Sequence, residues 1–201
     1  MTNMQTEIEA KFTNIDKEEI RKKLEQLGSD LIHKERLMKR RVFDFPDARL
    51  YKIGGWVRVR DEGDKITLSY KQLNDRTLHG TQEVNLVIDD FANGCRFIEC
   101  LGLNEKAYQE TKRESWKLGD VEIEIDEWPW SPPFMEIEGP TEEKVKNIAT
   151  QLGFDWSTAL YGSVEIVYQK YYDVTEEDVD SWPEIIFTPV PDWLEKKRIK
   201  K

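Results

Sequence analysis

The sequence predicts an α+β protein in which antiparallel strands form a closed β-barrel with a charged interior and with helices packed on the outside. Three observations lead to this fold class. Apolar and polar residues alternate in many short segments, capped helices lie between those segments, and ionisable side chains share one face of nearly every strand. A chain of 201 residues is long enough for one full-size domain with a sizeable core.

Alternation first occurs in the segment TEIEAKF, at residues 6–12. Successive side chains of an extended chain point to opposite faces, so Glu7, Glu9 and Lys11 share one face and apolar side chains share the other. The pattern recurs along the chain and predicts at least eight strands, most of them antiparallel. These strands span residues 5–12, 38–45, 56–61, 65–71, 80–88, 108–118, 120–127 and 134–138.

Helices are predicted where a capping residue precedes a run with helical periodicity. Asp16 caps KEEIRKKLEQL, with Glu19 at the capping-box position and Gly28 after the last turn. Gly94 lies in the middle of a second helix and weakens it. The predicted helices cover residues 17–27, 89–101, 142–152 and 157–172.

The polar faces of the strands carry both signs of charge. Arg58 and Arg60 share a face, and the polar residues of the other strands separate from Val, Leu and Ile in the same way. An open sheet with its polar face in water and helices on its other face would give this pattern. Glu and Lys are poor strand formers, however, and a closed barrel with a wet, charged interior explains their recurrence and removes the sheet edges.

A charged barrel interior favours an anion together with a metal ion. Arg and Lys donate charge-assisted hydrogen bonds to phosphate oxygens, and clustered carboxylates become compatible around a hard cation such as Mg2+ or Mn2+. The chain has no glycine-rich phosphate loop, and two histidines, His33 and His79, are too few for a zinc site. The residues therefore suggest a polyphosphate bound with a divalent cation. The side chains expected inside are Lys11, Arg58, Arg60, Lys71, Arg113, Glu7, Glu9, Glu83, Glu124, Asp126, Glu136 and Glu138.

Composition excludes several classes of protein. The formal net charge of -10 argues against general binding to nucleic acid or anionic lipid, which needs a basic surface. No apolar run has the length of a signal peptide or a membrane span, so we expect a cytoplasmic protein. Cys95 and Cys100 lie in a predicted helix at a spacing that is awkward for a disulfide, so we expect reduced thiols.

The last part of the chain differs in composition from the rest. From about Thr175 it is acidic, then rich in proline, then basic. We expect residues 1–174 to form one domain, and residues 175–201 to be an extension that packs on it through apolar side chains and ends in a frayed basic segment.

Several short motifs occur together in a characteristic order from residue 5 to about residue 172, and they resemble the CYTH superfamily of triphosphate tunnel metalloenzymes. An isolated ExExK would be weak evidence, whereas the full ordered set is specific. The motifs are ExExK at Glu7, Glu9 and Lys11, RxR at Arg58 and Arg60, Lys71 in TLSYK, Glu83, Lys112, Arg113 and Trp116 in KRxxW, IDE at 125–127 and EIEG at 136–139.

The resemblance implies an eight-stranded antiparallel tunnel that binds a small-molecule triphosphate with Mg2+ or Mn2+, in a monomer or a homodimer, with no nucleic acid beyond a possible nucleotide. By analogy, the metal would be bound by Glu7, Glu9, Asp126, Glu136 and Glu138. The phosphates would be bound by Lys11, Arg58, Arg60, Lys71 and Arg113. Lys11, Glu83 and Glu124 are assigned to catalysis, although Glu83, Glu124 and Asp126 suit either metal or water.

The chain departs from the family pattern at three places. In KRRVFDF, Arg40 stands where many relatives carry an acidic residue, which adds a further phosphate contact. Only Glu83 among Thr81, Glu83 and Asn85 is a carboxylate, where relatives often have two. Ser163-Val164 replaces the Lys or Ser-Tyr usual near the helix that plugs the tunnel. These differences affect substrate choice more than fold.

Three functions are compatible with this reading. The leading one is metal-dependent hydrolysis of inorganic tripolyphosphate, thiamine triphosphate or a nucleoside triphosphate, with release of orthophosphate. The second is an adenylyl cyclase of class IV type, which needs a nucleoside pocket that the sequence does not indicate. The third is a non-catalytic polyphosphate-binding module, which would need fewer carboxylates near the ligand.

Overall fold

The computed structural model describes residues 4–200, and within this range the chain forms ten strands. All but the last belong to one antiparallel sheet path that follows the alternation of the sequence. The strands are β1 (Gln5–Thr6), β2 (Glu9–Phe12), β3 (Asp30–Asp44), β4 (Gly55–Asp61), β5 (Ile66–Leu73), β6 (Thr81–Ile88), β7 (Asn104–Leu118), β8 (Val121–Glu127), β9 (Phe134–Glu138) and β10 (Glu184–Ile185).

The sheet curls into an open half-barrel. Its strand order is β1-β6-β5-β4-β3-β7-β8-β9-β2, and β10 adds to β7 as a parallel partner. The two ends of this path, β1 and β2, are consecutive pieces of the amino-terminal segment. That segment hydrogen-bonds to β6 through Glu7 N and Thr81 O at 2.9 Å, and to β9 through Gly139 N and Ile8 O at 3.1 Å.

The prediction of an α+β protein with an antiparallel sheet is confirmed, but the closed eight-stranded barrel is wrong. Closure requires each strand to pair with two neighbours, whereas β1 pairs only with β6 and β2 pairs along the ladder only with β9 in the part of the chain that the structure describes. The predicted single strand 5–12 is interrupted at residues 7–8. Its first half, β1, therefore pairs with β6, and its second half, β2, pairs with β9.

Six α-helices occur in residues 4–200. Asp16 accepts a hydrogen bond from Glu19 N, and Thr141 accepts one from Lys144 N, so both predicted caps are present. The predicted helix 157–172 is wrong in extent, because only its Glu165–Tyr168 part is α-helical. The helices are α1 (Lys17–Gln26), α2 (Phe91–Cys100), α3 (Glu142–Gln151), α4 (Glu165–Tyr168), α5 (Glu176–Asp180) and α6 (Asp192–Glu195).

The apolar faces of the strands pack against helices on the outside of the half-barrel. Ile20 and Leu24 of α1 share a buried cluster with Ile123 and Ile137 of the sheet. Cys95 and Ile98 of α2 pack with Phe43 and Val59 in a second cluster. Burial of this kind stabilises a fold by roughly 25 cal/mol per Å2 of apolar surface, and it leaves the polar strand faces on the concave side.

A third buried cluster involves the carboxyl-terminal segment. Trp182, Ile185 and Leu194 are buried together with Phe134 and Tyr168. β10 lies beside β7, with Glu184 opposite Tyr108 and Ile185 opposite Gln109. The division into a domain 1–174 and an extension 175–201 stays a prediction, and Lys201 lies outside the described residues.

Two simple findings complete the fold. Both cysteines are free, with Cys95 buried and Cys100 exposed. None of the helices in residues 4–200 combines the length and the apolar character that a membrane crossing requires.

Candidate active site

The concave side of the half-barrel encloses a cavity of about 860 Å3. Every side chain that the sequence singled out for catalysis, metal or phosphate lines this one cavity, while their individual roles remain predictions. These residues are Glu7, Glu9, Lys11, Arg40, Arg58, Arg60, Lys71, Glu83, Arg113, Glu124, Asp126, Glu136 and Glu138.

Strand register explains why these residues meet. Side chains of residues paired across two strands lie on the same face, so each paired set enters the cavity side by side. Lys71 of β5 is paired with Glu83 of β6, and Lys11 of β2 with Glu136 of β9. The alternation that marked the strands therefore also builds the site.

One wall of the cavity is cationic. β3, β4 and β7 are neighbours in the sheet, and they carry Arg40, Arg58, Arg60 and Arg113. Arg40 is the register partner of Arg60. We call these four residues the arginine wall.

The part of the lining that comes from β8, β9 and β2 is rich in carboxylates. Glu138 of β9 is paired with Glu9 of β2 on one side and with Glu122 of β8 on the other. Glu136 of β9 is paired with Glu124 of β8. We call these five residues the carboxylate wall. Like charges placed directly across strands repel one another, so this wall is unfavourable unless protons or cations compensate it.

Basic side chains of the protein supply part of that compensation. Lys11 Nζ lies 2.7 Å from Glu9 Oε1 and 3.1 Å from Glu136 Oε2. Arg113 donates to Asp126 Oδ1 through Nε at 2.7 Å and also lies 3.5 Å from Glu136. Burial alone would lower the pKa of Lys11 and of Arg113, but the neighbouring carboxylates outweigh it and raise both pKa values.

A second ion-pair group joins Glu7, which lies between β1 and β2, with side chains of β4, β5 and β6. Lys71 Nζ lies 2.8 Å from Glu7 Oε2 and 3.4 Å from Glu83 Oε2, and Arg58 Nη2 lies 3.6 Å from Glu83 Oε1. Burial, only partly offset by Lys71, raises the pKa of Glu7 to about 8. The pKa of Glu83 is lowered, because its bond to Glu7 and the charges of Lys71 and Arg58 outweigh burial.

Two carboxylates of the carboxylate wall lack comparable partners. In residues 4–200, Glu138 has no ion pair and Glu124 Oε2 is buried with no hydrogen bond, its closest cation being Arg113 Nε at 3.9 Å. Burial raises the pKa of Glu124 to about 7, despite Arg113. Burial, Glu136 and Glu9 raise the pKa of Glu138 to about 7. Binding of a divalent cation would displace the proton from the carboxyl group of Glu124 or Glu138.

The donor chemistry of this wall suits Mg2+ or Mn2+, which prefer carboxylate oxygens. The buried, unpartnered oxygen of Glu124 and the uncompensated Glu138 are the observations that support this fit. Among the described residues, however, no three His, Cys, Asp or Glu side chains are already arranged to hold a metal ion. Lys11 and Arg113 lie among the carboxylates instead, so metal binding would require these side chains to move.

The sequence reasoning missed several cavity residues, among them Glu62, Arg36 and Trp128. Glu62 accepts hydrogen bonds from Arg60 Nε at 3.0 Å and from Thr67 at 3.2 Å, and it continues the alternation of Arg58 and Arg60, so a signal was present. Arg36 donates to Glu62 O at 2.8 Å, but it precedes the predicted start of its strand at residue 38. Trp128 lies under the guanidinium of Arg40, at 4.7 Å from its ring centroid, just beyond the predicted strand 120–127.

Comparison with solved structures gives the same fold. The PH1012 protein from Pyrococcus horikoshii is 22% identical, with a TM-score of 0.64 over 76% of this chain and 93% of that chain. An adenylate cyclase candidate from Vibrio parahaemolyticus is 14% identical, with a TM-score of 0.72 over 83% and 99%. An adenylyl cyclase candidate from Hippeastrum with a dominant triphosphatase activity is 16% identical, with a TM-score of 0.55 over 82% and 95%. No curated protein matches the chain.

Comparison with protein families gives a more specific result. The model of the CYTH domain matches residues 5–173, which is most of the chain. This match includes all the motifs from the ExExK segment to EIEG, and it confirms the resemblance found in the sequence. Together with the curled antiparallel sheet and its charged cavity, it establishes that the protein belongs to the CYTH domain family.

Proposed function

We propose that the protein is a metal-dependent hydrolase that releases orthophosphate from a triphosphate. The observation that carries the proposal is one cavity lined by both an arginine wall and a carboxylate wall, in which Glu124 and Glu138 lack full compensation. Guanidinium groups suit phosphate oxygens, and carboxylates suit a hard cation, so the two walls match the two halves of a metal-triphosphate complex.

The arginine wall, Lys11 and Lys71 bind and align the phosphate chain in this proposal. Lys11 is held in its charged form by Glu9 and Glu136. Arg113 is held by Asp126, and Arg60 by Glu62. Arg60 can keep its partner Glu62 when a divalent cation binds, whereas Lys11 and Arg113 would exchange carboxylate partners for phosphate oxygens. Cations oriented toward the negative charge that develops on the leaving phosphate lower the activation barrier.

In this proposal, carboxylates of the cavity bind the divalent cation, and others activate or orient the attacking water. The proposed cation ligands are Glu9, Glu136 and Glu138 of the carboxylate wall, together with Glu7 and Asp126 from outside it. The cation when bound would screen charge on the phosphates. Glu124 is the proposed base for the attacking water. Its pKa of about 7 is near the pH at which a general base is most effective. Glu83, whose pKa is lowered, is ionised and can orient water.

The relatives support both hydrolysis and cyclisation. The Hippeastrum protein has a dominant triphosphatase activity, whereas it and the Vibrio protein are described as adenylyl or adenylate cyclase candidates. In a cyclase, a ribose hydroxyl would replace water as the nucleophile, with the same phosphate and cation groups. The walls of the cavity are compatible with either nucleophile. Hydrolysis and cyclisation are distinguished by their products.

The test is a product analysis with tripolyphosphate, ATP and thiamine triphosphate, each with Mg2+, with Mn2+ and with EDTA. We expect orthophosphate together with the diphosphate product, and no turnover in EDTA. Pyrophosphate and cyclic AMP from ATP would favour the cyclase. Binding without turnover of all three substrates would favour a polyphosphate-binding module and contradict the proposal.

A further inference from the structure

Arg40 has an unusual environment for a buried cation. Only 6% of the residue is exposed, and its side chain lines the cavity from β3. Nη2 donates to Thr111 Oγ1 at 2.7 Å, the guanidinium lies over the ring of Trp128, and Nε has no hydrogen-bond partner among the described residues. No carboxylate of residues 4–200 lies within 4.0 Å of its nitrogens.

The other predicted phosphate-binding cations differ from Arg40 in this respect. Each has at least one carboxylate within 4.0 Å, so its charge is already compensated in part by the protein. These pairs are Lys11 with Glu9, Arg58 with Glu83, Arg60 with Glu62, Lys71 with Glu7, and Arg113 with Asp126. Arg40 is thus the one predicted phosphate contact that has a buried charge and no counter-ion among the described residues.

The surroundings add to this imbalance. Burial lowers the pKa of Arg40, and the positive charges of Arg58, Arg60 and Arg113 lower it further, against a smaller opposite effect of Asp126. Removing a charge from water is costly unless a partner and hydrogen bonds compensate it. Since a guanidinium remains protonated in proteins, an anion that enters the cavity would compensate this charge.

The geometry of the group indicates which anion fits. A guanidinium carries five N–H donors in one plane, and Arg40 uses one of them on Thr111. Stacking on Trp128 restricts the orientation of that plane. A phosphate group accepts two parallel hydrogen bonds from such a fork, whereas a halide ion does not.

We propose that Arg40, held in place by Thr111 and Trp128, forms an anchoring subsite for one phosphate group, and that this subsite binds phosphate and condensed phosphates without any divalent cation. The choice of condensed phosphate as the ligand rests on the proposed function. Anion binding then precedes metal binding: the phosphate chain settles first on the arginine wall, and the cation follows between the phosphate chain and the carboxylate wall.

The experiment is a thermal-unfolding titration in EDTA with sodium orthophosphate and sodium tripolyphosphate, at constant ionic strength with sodium chloride as the reference. Wild-type protein should gain roughly 5 °C or more at saturating tripolyphosphate, because a ligand that binds only the folded state stabilises it. Arg40→Met should melt at the same temperature as wild type or higher without ligand, since it removes a buried, unpaired charge. Its gain with either anion should fall to less than half.

Arg41→Met is the matched control. Arg41 is the next residue of β3, and it points away from the cavity, where Nη1 pairs with Glu105 at 2.9 Å. It should keep the full anion-induced gain. Arg40→Lys keeps the charge but loses the fork, so isothermal titration of this variant should show a tripolyphosphate affinity about tenfold lower, as expected for loss of a charge-assisted hydrogen bond.

The outcomes separate the subsite from the proposed function. An undiminished anion effect in Arg40→Met, or an anion effect in wild type that appears only after Mg2+ is added, would overturn the subsite. Should Arg40→Met fail to fold, the affinity of Arg40→Lys decides, and an unchanged value would overturn the subsite. Metal-free anion binding at Arg40 together with no hydrolysis under any metal would keep the subsite and refute the hydrolase.

Discussion

Glu138 is the residue whose substitution best tests the carboxylate wall. It faces Glu9 and Glu122 across the strands and has no ion pair in the described structure. Glu138→Gln keeps the shape but removes a charge that the proposed cation needs. We expect turnover of the best triphosphate substrate to fall by about a hundredfold, the size usual for one preorganised electrostatic group. A higher Mg2+ or Mn2+ concentration should restore part of it, which steady-state kinetics over a metal titration would measure.

Arg58→Ala and Glu143→Gln provide the contrast. Arg58 would contact phosphate before and during the reaction, so its loss should raise KM, and additional metal should not reverse the change. Glu143 is exposed on α3, away from the cavity, and its substitution should leave kinetics unchanged. Near wild-type kinetics of both Glu138→Gln and Arg58→Ala would show that these are structural charges.

At the scale of single elements, β3 shows where alternation loses predictive power. The predicted strand 38–45 is observed as Asp30–Asp44, so its first half was missed. The pairing of β3 with β7 shifts register between Leu31 and His33 and again between His33 and Arg36. Each shift breaks the period of two on which the prediction depends. Arg36 was lost to the predicted site for this reason.

The predicted helix 157–172 failed for a different reason. Gly162 has a φ of 109°, which an α-helix does not allow, and the chain before it forms only a short 3-10 turn at Trp156–Thr158. Leu160 instead exchanges backbone hydrogen bonds with Lys11. Helical periodicity was present, but a tertiary contact with the amino-terminal segment determined the local conformation. Sequence patterns do not contain such contacts.

The carboxyl-terminal segment allows a test of stability. Trp182 is 7% exposed, with its ring 5.2 Å from that of Tyr168 and 5.1 Å from that of Trp193. Trp182→Ala should lower the free energy of unfolding by about 3 to 5 kcal/mol, because it removes a large buried side chain and leaves a cavity. Urea denaturation monitored by circular dichroism would measure this loss.

Val87→Ala is the control for that experiment. Val87 is 71% exposed on β6, so its truncation should change the free energy of unfolding by less than about 0.5 kcal/mol. Tyr168 donates its hydroxyl hydrogen to Pro129 O, in the loop that follows Trp128. A loss below about 1 kcal/mol for Trp182→Ala would mean that residues 175–200 contribute little to the stability of the domain.

At the scale of the whole molecule, the sequence identified which side chains share the cavity, but it did not identify which strands pair at the two edges of the sheet. A period of two assigns each residue to a face, and this was sufficient to group Lys11, Lys71, Glu83 and Glu138. Closure depends on which strands pair at the two edges. That pairing is a long-range choice, and the interruption at residues 7–8 has no signal in the alternation. The division into an arginine wall and a carboxylate wall follows from strand order, which periodicity leaves undetermined.

The whole cavity also makes a prediction about pH. Glu124 and Glu138 have pKa values raised from 4.5 to about 7, and Glu7 to about 8. Between pH 4.5 and 7 the folded state therefore binds more protons than the unfolded state, so the free energy of unfolding falls as pH rises through this range. These pKa changes correspond to roughly 3 kcal/mol each for Glu124 and Glu138 and to more for Glu7, less where neighbouring groups titrate together. Glu83 and Glu136, whose pKa values are lowered, act oppositely and lose their stabilising effect below pH 4.5.

Without divalent cation, stability should therefore be greatest near pH 5 and should decrease toward pH 8. This differs from an ordinary acidic protein, in which paired carboxylates keep stability high at neutral pH. Urea denaturation at pH 5, 6, 7 and 8 in EDTA would measure the decrease, and Glu138→Gln should make it shallower because one raised carboxyl group is gone. Added Mg2+ should oppose the decrease, since a bound cation favours the ionised carboxylates. A free energy of unfolding that rises steadily from pH 5 to pH 8 in EDTA would contradict this prediction. It would mean that Lys11, Lys71 and Arg113 already compensate the charge of the carboxylate wall without a divalent cation.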